Sequence, residues 1–309
     1  MTTALAVDVG GTKLAAALIH HDGTVLTRAE VATPRTAEAG ALTDELLALA
    51  SRVIAADPGR MISALGVGSA GPVDLIRGTI SPVNILGWRS FPILDALREL
   101  LPGRPAVLAG DGHCMALGEH RFGGFDSRAL LGMVVSTGVG GGIVLDGKLH
   151  PGPTGNAAHI GHIVVDLDGG PCPCGGRGCV EAIASGPCMV RWAQEQGWSG
   201  QPDGRSLAAS AMSGDRIARE AFTRAGRAIA AAVVSAAAMI DLDDAVIGGG
   251  VAQSGPLIFR PIRRALNDLA GLPFVRRVQV HEARLGRDAG LLGAAALAFD
   301  EAAAAVAAR

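Results

Sequence analysis

The sequence predicts an α/β protein of two domains, and two observations support this. First, short apolar strands alternate with helix-length segments along the 309 residues, the pattern of a sheet packed against helices. Second, a glycine-rich turn follows an apolar strand twice, at Gly10-Gly11 and at Gly138 to Gly142, as in a weak internal duplication. A chain of this length suggests two domains, at about 150 residues for each. We place a smaller domain at 1–120, a larger one at 121–290, and a helix at about 291–309 that packs back on the first.

The first domain opens with three strands and continues with alternating helices and strands. Asp22-Gly23 is a hairpin signal between the second and third strands, and Asp57-Pro58-Gly59 ends the first helix. The predicted strands are Thr3–Asp8, Leu14–Ile19, Val25–Val31, Ser63–Val67 and Ala106–Ala109, and the predicted helices are at about Ala41–Ala55, near Ile93–Leu101 and from about Gly112.

The second domain opens in a similar way, with two strands joined by a hairpin turn at Asp146-Gly147. A long loop that carries cysteines follows, and then several helices with two further strands between them. The predicted strands are Leu130–Ser136, Gly142–Leu145, Asp244–Ile247 and Val275–His281, and the predicted helices are around Pro187–Gln196, Leu207–Met212, Asp215–Ile240 and Leu257–Leu269.

The charge balance limits the classes of partner. With 27 basic and 29 acidic residues the chain lacks the basic excess of a general nucleic-acid binder. Its longest charge-free run, Ala129–Leu145, is interrupted by five glycines and is shorter than the roughly 20 apolar residues of a membrane-spanning helix. Asp8 lies where a signal peptide would be apolar. We therefore expect a cytoplasmic protein without nucleic-acid or membrane partners.

The cysteines predict a metal site rather than disulfide bonds. The chain has five, an odd number without an export signal, and Cys172, Cys174 and Cys179 lie within eight residues. With His162 shortly before them, they form the three-thiolate and one-imidazole set of a closed structural Zn²⁺ site. Free thiols in a loop are the alternative. The other two cysteines have no such neighbours and are predicted to be small apolar residues.

Three glycine clusters together predict a nucleotide site. They are Asp8–Lys13, Ser136–Gly142 and Gly248–Gly250, and each follows an apolar strand. Glycines let backbone N–H groups approach phosphate oxygens, and an acid at a strand end such as Asp8 can hold Mg²⁺ through water. A tight hairpin is the alternative reading of each of the first two turns. The spacing does not match a P-loop.

Asp111 is the candidate general base. In Gly110-Asp111-Gly112 it follows a predicted strand and begins a predicted helix, where an acid often serves only as an N-cap. In a cleft beside phosphates, the same carboxylate could accept a proton from a substrate hydroxyl.

These motifs, in this order, closely resemble the ROK family, whose enzymes are ATP-dependent sugar kinases on the actin/hexokinase-like (ribonuclease H-like) fold. The resemblance runs from Asp8 to about residue 296. The motifs that carry it are Asp8–Lys13, Gly68–Asp74, Asn84–Trp88, Asp111 with Ala116–Glu119, Ser136–Gly142, Gly161-His162, the zinc knuckle within 162–179, Glu181, Gly248–Gly250 and Asp288–Gly290.

The resemblance implies a role for each matching residue. Asp111 would be the catalytic base, and Asp8 would hold Mg²⁺ through water. ATP and its phosphates would be bound by Asp8, Gly10, Gly11, Thr12, Lys13, Thr137, Gly138, Gly140 and Gly249. The sugar would be bound by Gly71, Asn84, Gly110, Asp111, His159, His162 and Glu181. Structural Zn²⁺ would be held by His162, Cys172, Cys174 and Cys179. A homodimer or homotetramer is also implied.

Two departures from the family's glucokinases concern the sugar. Those enzymes usually have Asn at the position of Gly110 and Glu at that of His159, whereas the bacterial N-acetylmannosamine kinases have His at the latter. Losing the Asn removes a hydrogen bond worth about 1 kcal/mol and opens space for a larger substituent. Against this, N-acetylmannosamine kinases normally keep the Asn and lack His at position 113. We modestly favour N-acetylmannosamine, with glucose as the alternative.

A non-enzymatic member of the family is the remaining alternative. Some members are transcriptional repressors with an N-terminal winged helix-turn-helix, for which a phosphate motif that begins at Asp8 would leave no room. A sugar sensor without turnover stays possible, although the presence of Asp111 argues against it.

Overall fold

Two sheets organise the computed structural model, which describes residues 2–34 and 38–307. The elements up to residue 122 are β1 Thr3–Val9, β2 Lys13–His20, β3 Val25–Ala32, α1 Ala39–Ala55, β4 Ile62–Ser69, β5 Val73–Asp74, β6 Thr79–Ile80, α2 Ile93–Arg98, β7 Ala106–Gly110 and α3 Asp111–Phe122. Those that follow are β8 Ala129–Val135, β9 Val139–Leu145, β10 Lys148–Leu149, α4 Val180–Ala184, α5 Gly186–Glu195, α6 Gly204–Met212, α7 Arg216–Ile240, β11 Asp244–Gly248, α8 Pro256–Leu269, α9 Pro273–Arg276, β12 Gln279–Glu282 and α10 Ala289–Ala307.

The described residues divide into two compact units. The first contains the residues up to 126, together with 147–157 and those from 287 onward, and the second contains 127–146 and 158–286. The last two residues of the helix predicted at 291–309 lie outside the described part of the chain.

The first unit is built on a sheet of order β3-β2-β1-β4-β7. β1 pairs antiparallel with β2 and parallel with β4, so the carboxyl ends of β1, β4 and β7 lie at one edge. α10 packs against α3 and the sheet through small residues. A Cβ atom at Gly66 in β4 would collide with the carbonyl oxygen of Ala294. The alanine-rich composition of α10 therefore reflects a close approach of backbones.

The second unit repeats this plan. Its strands follow the order β9-β8-β11-β12, with β8 antiparallel to β9 and parallel to β11. α7 supplies much of the core through alanines, with Phe222 and Ile229 also buried. By length and composition alone, α7 and the segment Gly286–Ala307 could each cross a membrane. About half of the most apolar window of each, 50% and 44%, is buried inside this fold, as in core helices.

Two strand predictions need correction. The predicted strand Val275–His281 is wrong in its first half, because Pro273 occupies the first position of the short helix α9, a position that proline favours. The strand is confined to β12. The strand predicted at Gly142–Leu145 instead begins at Val139 and includes the glycine run. A Cβ atom at Gly141 would lie 2.7 Å from the carbonyl oxygen of Gly132 in β8, so glycine is needed for this close pairing.

Candidate active site

The first glycine turn joins β1 to β2 in the first unit. The Gly10 N–H donates to the carbonyl oxygen of Lys13 at 2.9 Å, and the Thr33 hydroxyl donates to that of Gly10 at 2.7 Å. A Cβ atom at Gly11 would lie 2.7 Å from the Cβ of Asn84, so the turn is in contact with the loop that carries this predicted sugar contact. The structure therefore brings the predicted phosphate turn and Asn84 together.

Asp8 and Asp111 form a carboxylate pair beside this turn. Asp8 lies near the end of β1, and burial and the charge of Asp111 raise its pKa to about 6, against smaller opposing effects of Lys13 and Arg28. A Cβ atom at Gly290, in the first turn of α10, would lie 3.1 Å from the Asp8 carboxylate. A partly buried carboxylate with an acidic neighbour favours a bound cation. The pair therefore fits the predicted Mg²⁺ role of Asp8.

Asp111 is the first residue of α3, and Gly110 is the N-cap. The alternative reading of Asp111 as the N-cap is therefore wrong. Its Oδ1 accepts the N–H of Gly112 at 2.7 Å. This bond and the short side chain hold the carboxylate at the carboxyl edge of the sheet, where β7 ends and the helix begins.

The raised pKa of Asp8 predicts a pH-dependent stability. The folded chain holds the Asp8 proton up to about pH 6, whereas the unfolded chain releases it near 3.8. Between these values the folded state binds more protons, so the free energy of unfolding falls as pH rises. An asparagine at position 8 carries no such proton, so the free energy of unfolding of Asp8→Asn does not fall in this way. We expect the free energy of unfolding of Asp8→Asn, relative to that of the wild type, to increase by roughly 1 to 1.5 kcal/mol from pH 5 to pH 8.

Thermal unfolding of both proteins at these pH values, without nucleotide or Mg²⁺, measures this effect. A stability difference between Asp8→Asn and the wild type that does not change with pH would contradict a raised pKa of Asp8 in the folded chain.

The position of Gly110 is not simply open space. His113, one turn along α3, is 3% exposed, and its Nε2 lies 2.7 Å from the carbonyl oxygen of Ala157. A Cβ atom at Gly110 would lie 3.6 Å from Nδ1 of His113. The imidazole of His113 therefore lies at one side of the space that the absence of an Asn side chain at position 110 was expected to open. A longer side chain at 110 would have to run alongside it.

The loop that carries Asn84 is held by Arg89, which the sequence did not identify. Its Nη1 lies 2.7 to 3.0 Å from the carbonyl oxygens of Pro82, Ile85 and Trp88. The N–H of Val83 also donates to the carbonyl oxygen of Gly71 at 3.2 Å, which places Gly71 beside the same loop. The predicted contacts Gly71 and Asn84 therefore lie together.

A series of ion pairs centred on β3 was also not identified from the sequence. Arg28 in β3 contacts Glu30 at 2.6 Å and Asp288 at 2.8 Å, and Glu30 lies 3.8 Å from Nζ of Lys13. The predicted phosphate-binding lysine therefore has an acidic neighbour in this structure. Thr12 lies in the turn before it, and its carbonyl oxygen accepts the N–H of Thr33 at 3.0 Å.

In the second unit, the turn between β8 and β9 lies beside the third glycine cluster. The Ser136 N–H donates to the carbonyl oxygen of Gly138 at 2.8 Å and closes the turn around Thr137. Gly249, with φ +95°, lies against Val135, whose carbonyl oxygen a Cβ atom at 249 would strike. Only glycine fits there without strain. The structure thus joins the two clusters at one end of β8.

Gly140, the remaining predicted phosphate residue, lies within β9 opposite Val134 of β8. Its position in a paired strand is two residues beyond the turn that contains Thr137 and Gly138.

Glu181 contacts the same turn. One of its carboxylate oxygens, Oε2, accepts the N–H of Val139 at 2.8 Å, although the two residues are 42 positions apart. One carboxylate oxygen of Glu181, a predicted sugar contact, therefore bonds to the backbone that directly follows the turn Ser136–Gly138.

His159 is the N-cap of a single 3₁₀ turn, Ile160–His162, and His162 is its last residue. Their ring centroids are 6.0 Å apart. The turn packs on β9, because a Cβ atom at Gly161 would collide with the carbonyl oxygen of Val139. Both predicted sugar-binding imidazoles therefore lie on a segment whose backbone is fixed against β9.

The predicted metal ligands come together as a cluster. Donor atoms of His162, Cys172, Cys174 and Cys179 all lie within 4.8 Å of one another. Sγ of Cys174 and Sγ of Cys179 are 3.8 Å apart, the separation that a tetrahedral ion produces with bonds of about 2.3 Å. Nδ1 of His162 is 3.8 Å from Sγ of Cys172. The donor set and its spacing fit Zn²⁺.

Local backbone bonds shape this cluster. The N–H of Cys172 donates to the carbonyl oxygen of Gly176 at 2.9 Å, and that of Gly175 donates to the carbonyl oxygen of Cys172 at 3.0 Å. Gly175 and Gly178 have positive φ angles of 91° and 67°, which glycine adopts readily. The glycines that the sequence shows between the cysteines therefore form the tight turns of the knuckle.

Comparison with known proteins gives a consistent result. The sequence model of the ROK family matches residues 4–301. A glucokinase of Streptomyces coelicolor is 35% identical, with 96% of this chain and 98% of that protein covered. An N-acetylmannosamine kinase of Yersinia pseudotuberculosis is 36% identical, with the same coverage of 96% and 98%.

Among solved structures, a ROK family glucokinase from Streptomyces griseus in complex with glucose and AMPPNP is similar, with a TM-score of 0.82 and 34% identity. The match covers 96% of this chain and 99% of that one. This likeness confirms the predicted actin/hexokinase-like fold.

Proposed function

The chain belongs to the ROK family and is a sugar kinase, and we propose that it transfers the γ-phosphate of ATP to the primary 6-hydroxyl of a hexose or N-acylhexosamine, with N-acetylmannosamine favoured. The observation that carries this proposal is the carboxylate pair of the first unit. Asp8 is partly buried, and this burial together with the charge of Asp111 raises its pKa to about 6. Such a pair supplies one group that binds a cation and one that accepts a proton.

The first unit would perform the proton transfer. Asp111 accepts the proton of the sugar hydroxyl as that oxygen attacks the γ-phosphorus of ATP and the bond to the bridging oxygen of ADP breaks. Mg²⁺, when bound, neutralises charge on the phosphate oxygens. Asp8 would hold the ion, while Lys13 and the N–H groups of Gly11 and Thr12 would bind phosphate oxygens beside Gly10, whose own N–H bonds within the turn. Asn84, Gly71 and Gly110 line the acceptor side.

The second unit would bind the rest of both substrates. The nucleotide would contact the turn residues Thr137 and Gly138, with Gly140 and Gly249 close to it. His159, His162 and Glu181 would contact the sugar. His162 suits both of its proposed roles, because its Nδ1 lies 3.8 Å from Sγ of Cys172 and an imidazole has a second ring nitrogen that could bond a hydroxyl. Zn²⁺ held by the cluster would fix the wall of the sugar site.

The choice of sugar rests on position 159. An imidazole offers one acceptor where a carboxylate offers two oxygens to paired hydroxyls, so His159 suits a sugar with a substituent in place of one hydroxyl. The glucokinase and N-acetylmannosamine kinase relatives are similar in identity, at 35% and 36%. Glucose is therefore the second candidate, and the Streptomyces griseus enzyme that binds it supports this alternative.

A coupled ADP-release assay tests the assignment of the sugar. We expect kcat/KM for N-acetylmannosamine to exceed that for glucose, mannose, glucosamine and N-acetylglucosamine. His159→Glu restores a two-oxygen acceptor, so we expect it to shift the ratio of kcat/KM toward glucose by about tenfold. A wild-type preference for glucose, unchanged by His159→Glu, would contradict the role given to this residue.

Three further features belong to the proposal. We expect ATP with Mg²⁺ as the phosphate donor, a homodimeric or homotetrameric assembly, and a cytoplasmic location without nucleic-acid or membrane partners. Native mass spectrometry at micromolar concentration distinguishes the assemblies.

A further inference from the structure

Val139 is the residue at which three segments of the second unit meet. Its N–H donates to Oε2 of Glu181 at 2.8 Å. Its carbonyl oxygen lies so close to Gly161 that a Cβ atom at 161 would collide with it. The preceding residue is Gly138, where a Cβ atom would lie 2.8 Å from the same Glu181 oxygen. One peptide of β9 is therefore held on both sides.

The two segments that hold Val139 are those that carry the proposed sugar contacts of this unit. Glu181 is in the first turn of α4, whose N-cap is the metal-cluster residue Cys179. Gly161 lies in the 3₁₀ turn between His159 and His162. Each segment therefore begins or ends at a residue of the metal cluster, α4 at Cys179 and the 3₁₀ turn at His162.

Val139 directly follows the turn assigned to the nucleotide and is the first residue of β9. The Ser136 N–H bonds to the carbonyl oxygen of Gly138, and the carbonyl oxygen of Ser136 accepts the N–H of Gly186 at 2.8 Å. Any displacement of Val139 therefore moves Gly138, since the two share a peptide bond. The proposed sugar and nucleotide contacts are connected through a single backbone unit.

We propose that Glu181 is a positioning residue for the nucleotide turn, and that through its bond to Val139 a bound sugar increases the affinity of the protein for nucleotide. This inference rests on the proposed function. A sugar hydroxyl that donates to Glu181 immobilises its carboxylate and, with it, the Val139 peptide. The nucleotide then binds an ordered turn and loses less conformational entropy. Because coupling between two binding sites is reciprocal, nucleotide increases the affinity for sugar by the same factor.

Isothermal titration of the full chain with AMPPNP tests the inference. The Kd is measured without sugar and with N-acetylmannosamine or glucose at more than ten times its own Kd. We expect the sugar to lower the Kd of the wild type for AMPPNP by about fivefold or more. Glu181→Ala removes the acceptor of the Val139 N–H, so the ratio of the two Kd values should fall to about 1, with weaker AMPPNP binding even without sugar.

Three variants separate this role from a structural one. Glu181→Gln keeps an oxygen that can accept the Val139 N–H, so it should retain most of the coupling although its sugar affinity falls. Glu195→Gln removes an exposed carboxylate at the end of α5 and should behave like the wild type. Gly161→Ala disturbs the other side of Val139, leaves Glu181 in place, and should also reduce the coupling.

The outcomes distinguish this inference from the proposed function. Full coupling in Glu181→Ala or Gly161→Ala, or none in a wild type that phosphorylates sugar, would overturn the role of Glu181 and leave the kinase assignment standing. A wild type that neither binds AMPPNP nor forms ADP with any of the sugars would overturn both.

Discussion

Asp111→Asn should lower kcat by about 10³-fold or more while the Kd for sugar changes little, because general-base catalysis contributes typically 10² to 10⁴ and the variant also alters the charge beside Asp8. The amide has nearly the shape of the carboxylate and keeps an oxygen that can accept the Gly112 N–H. It cannot accept the hydroxyl proton. ADP release gives kcat, and calorimetric titration gives the Kd for sugar.

A matched control is available at another helix. Asp203 is the N-cap of α6, and its Oδ1 accepts the N–H groups of Arg205 and Ser206 at 2.9 Å. Asp203→Asn therefore changes an aspartate at a helix start without touching the proposed site, and its kcat should equal that of the wild type. If Asp111→Asn retained kcat within tenfold of the wild type, Asp111 would not be the base.

Loss of the metal is the second large effect that we expect. The native protein should contain one zinc per chain, and Cys174→Ser or chelation should release it, because a hydroxyl is a poor replacement for a thiolate ligand. Cys174 is exposed, so the substitution leaves no cavity in the core. The KM for sugar should rise by about 10- to 100-fold, since the knuckle holds His162 and sets the position of α4.

Elemental analysis and kinetics on the same samples measure these effects. Cys188→Ser serves as the control, because Cys188 lies outside the cluster and contacts Arg191 instead. It should retain both zinc and the KM for sugar. A native protein purified without chelators that contains no zinc would contradict the metal assignment.

Local sequence signals predicted most of the fold. Apolar runs and the Asp22-Gly23 turn predicted β1, β2 and β3, which the structure contains. The hairpin of β5 and β6 was missed, because strands of two residues carry no periodicity. The region from Val275 was misread because an apolar run after a proline fits a helical turn as well as a strand.

The candidate site was predicted as far as residue types and glycine clusters could indicate it. The cysteine spacing predicted a cluster whose donor atoms the structure does bring together. The contacts of Glu181 with Val139 and of His113 with Ala157 join residues 42 and 44 positions apart. Each ends on a backbone atom, an N–H in the first contact and a carbonyl oxygen in the second, and every residue type except proline offers both. No pattern of side chains can therefore identify such partners in advance.

The central claim, transfer of phosphate from ATP to a sugar, is tested most directly by the product. The protein is incubated with ATP, Mg²⁺ and N-acetylmannosamine, and ³¹P and ¹³C nuclear magnetic resonance identifies what forms. We expect one phosphomonoester on carbon 6 for each ADP, formed by the wild type and absent with Asp111→Asn. Formation of ADP with free orthophosphate, at a rate independent of any of the five sugars, would contradict the account.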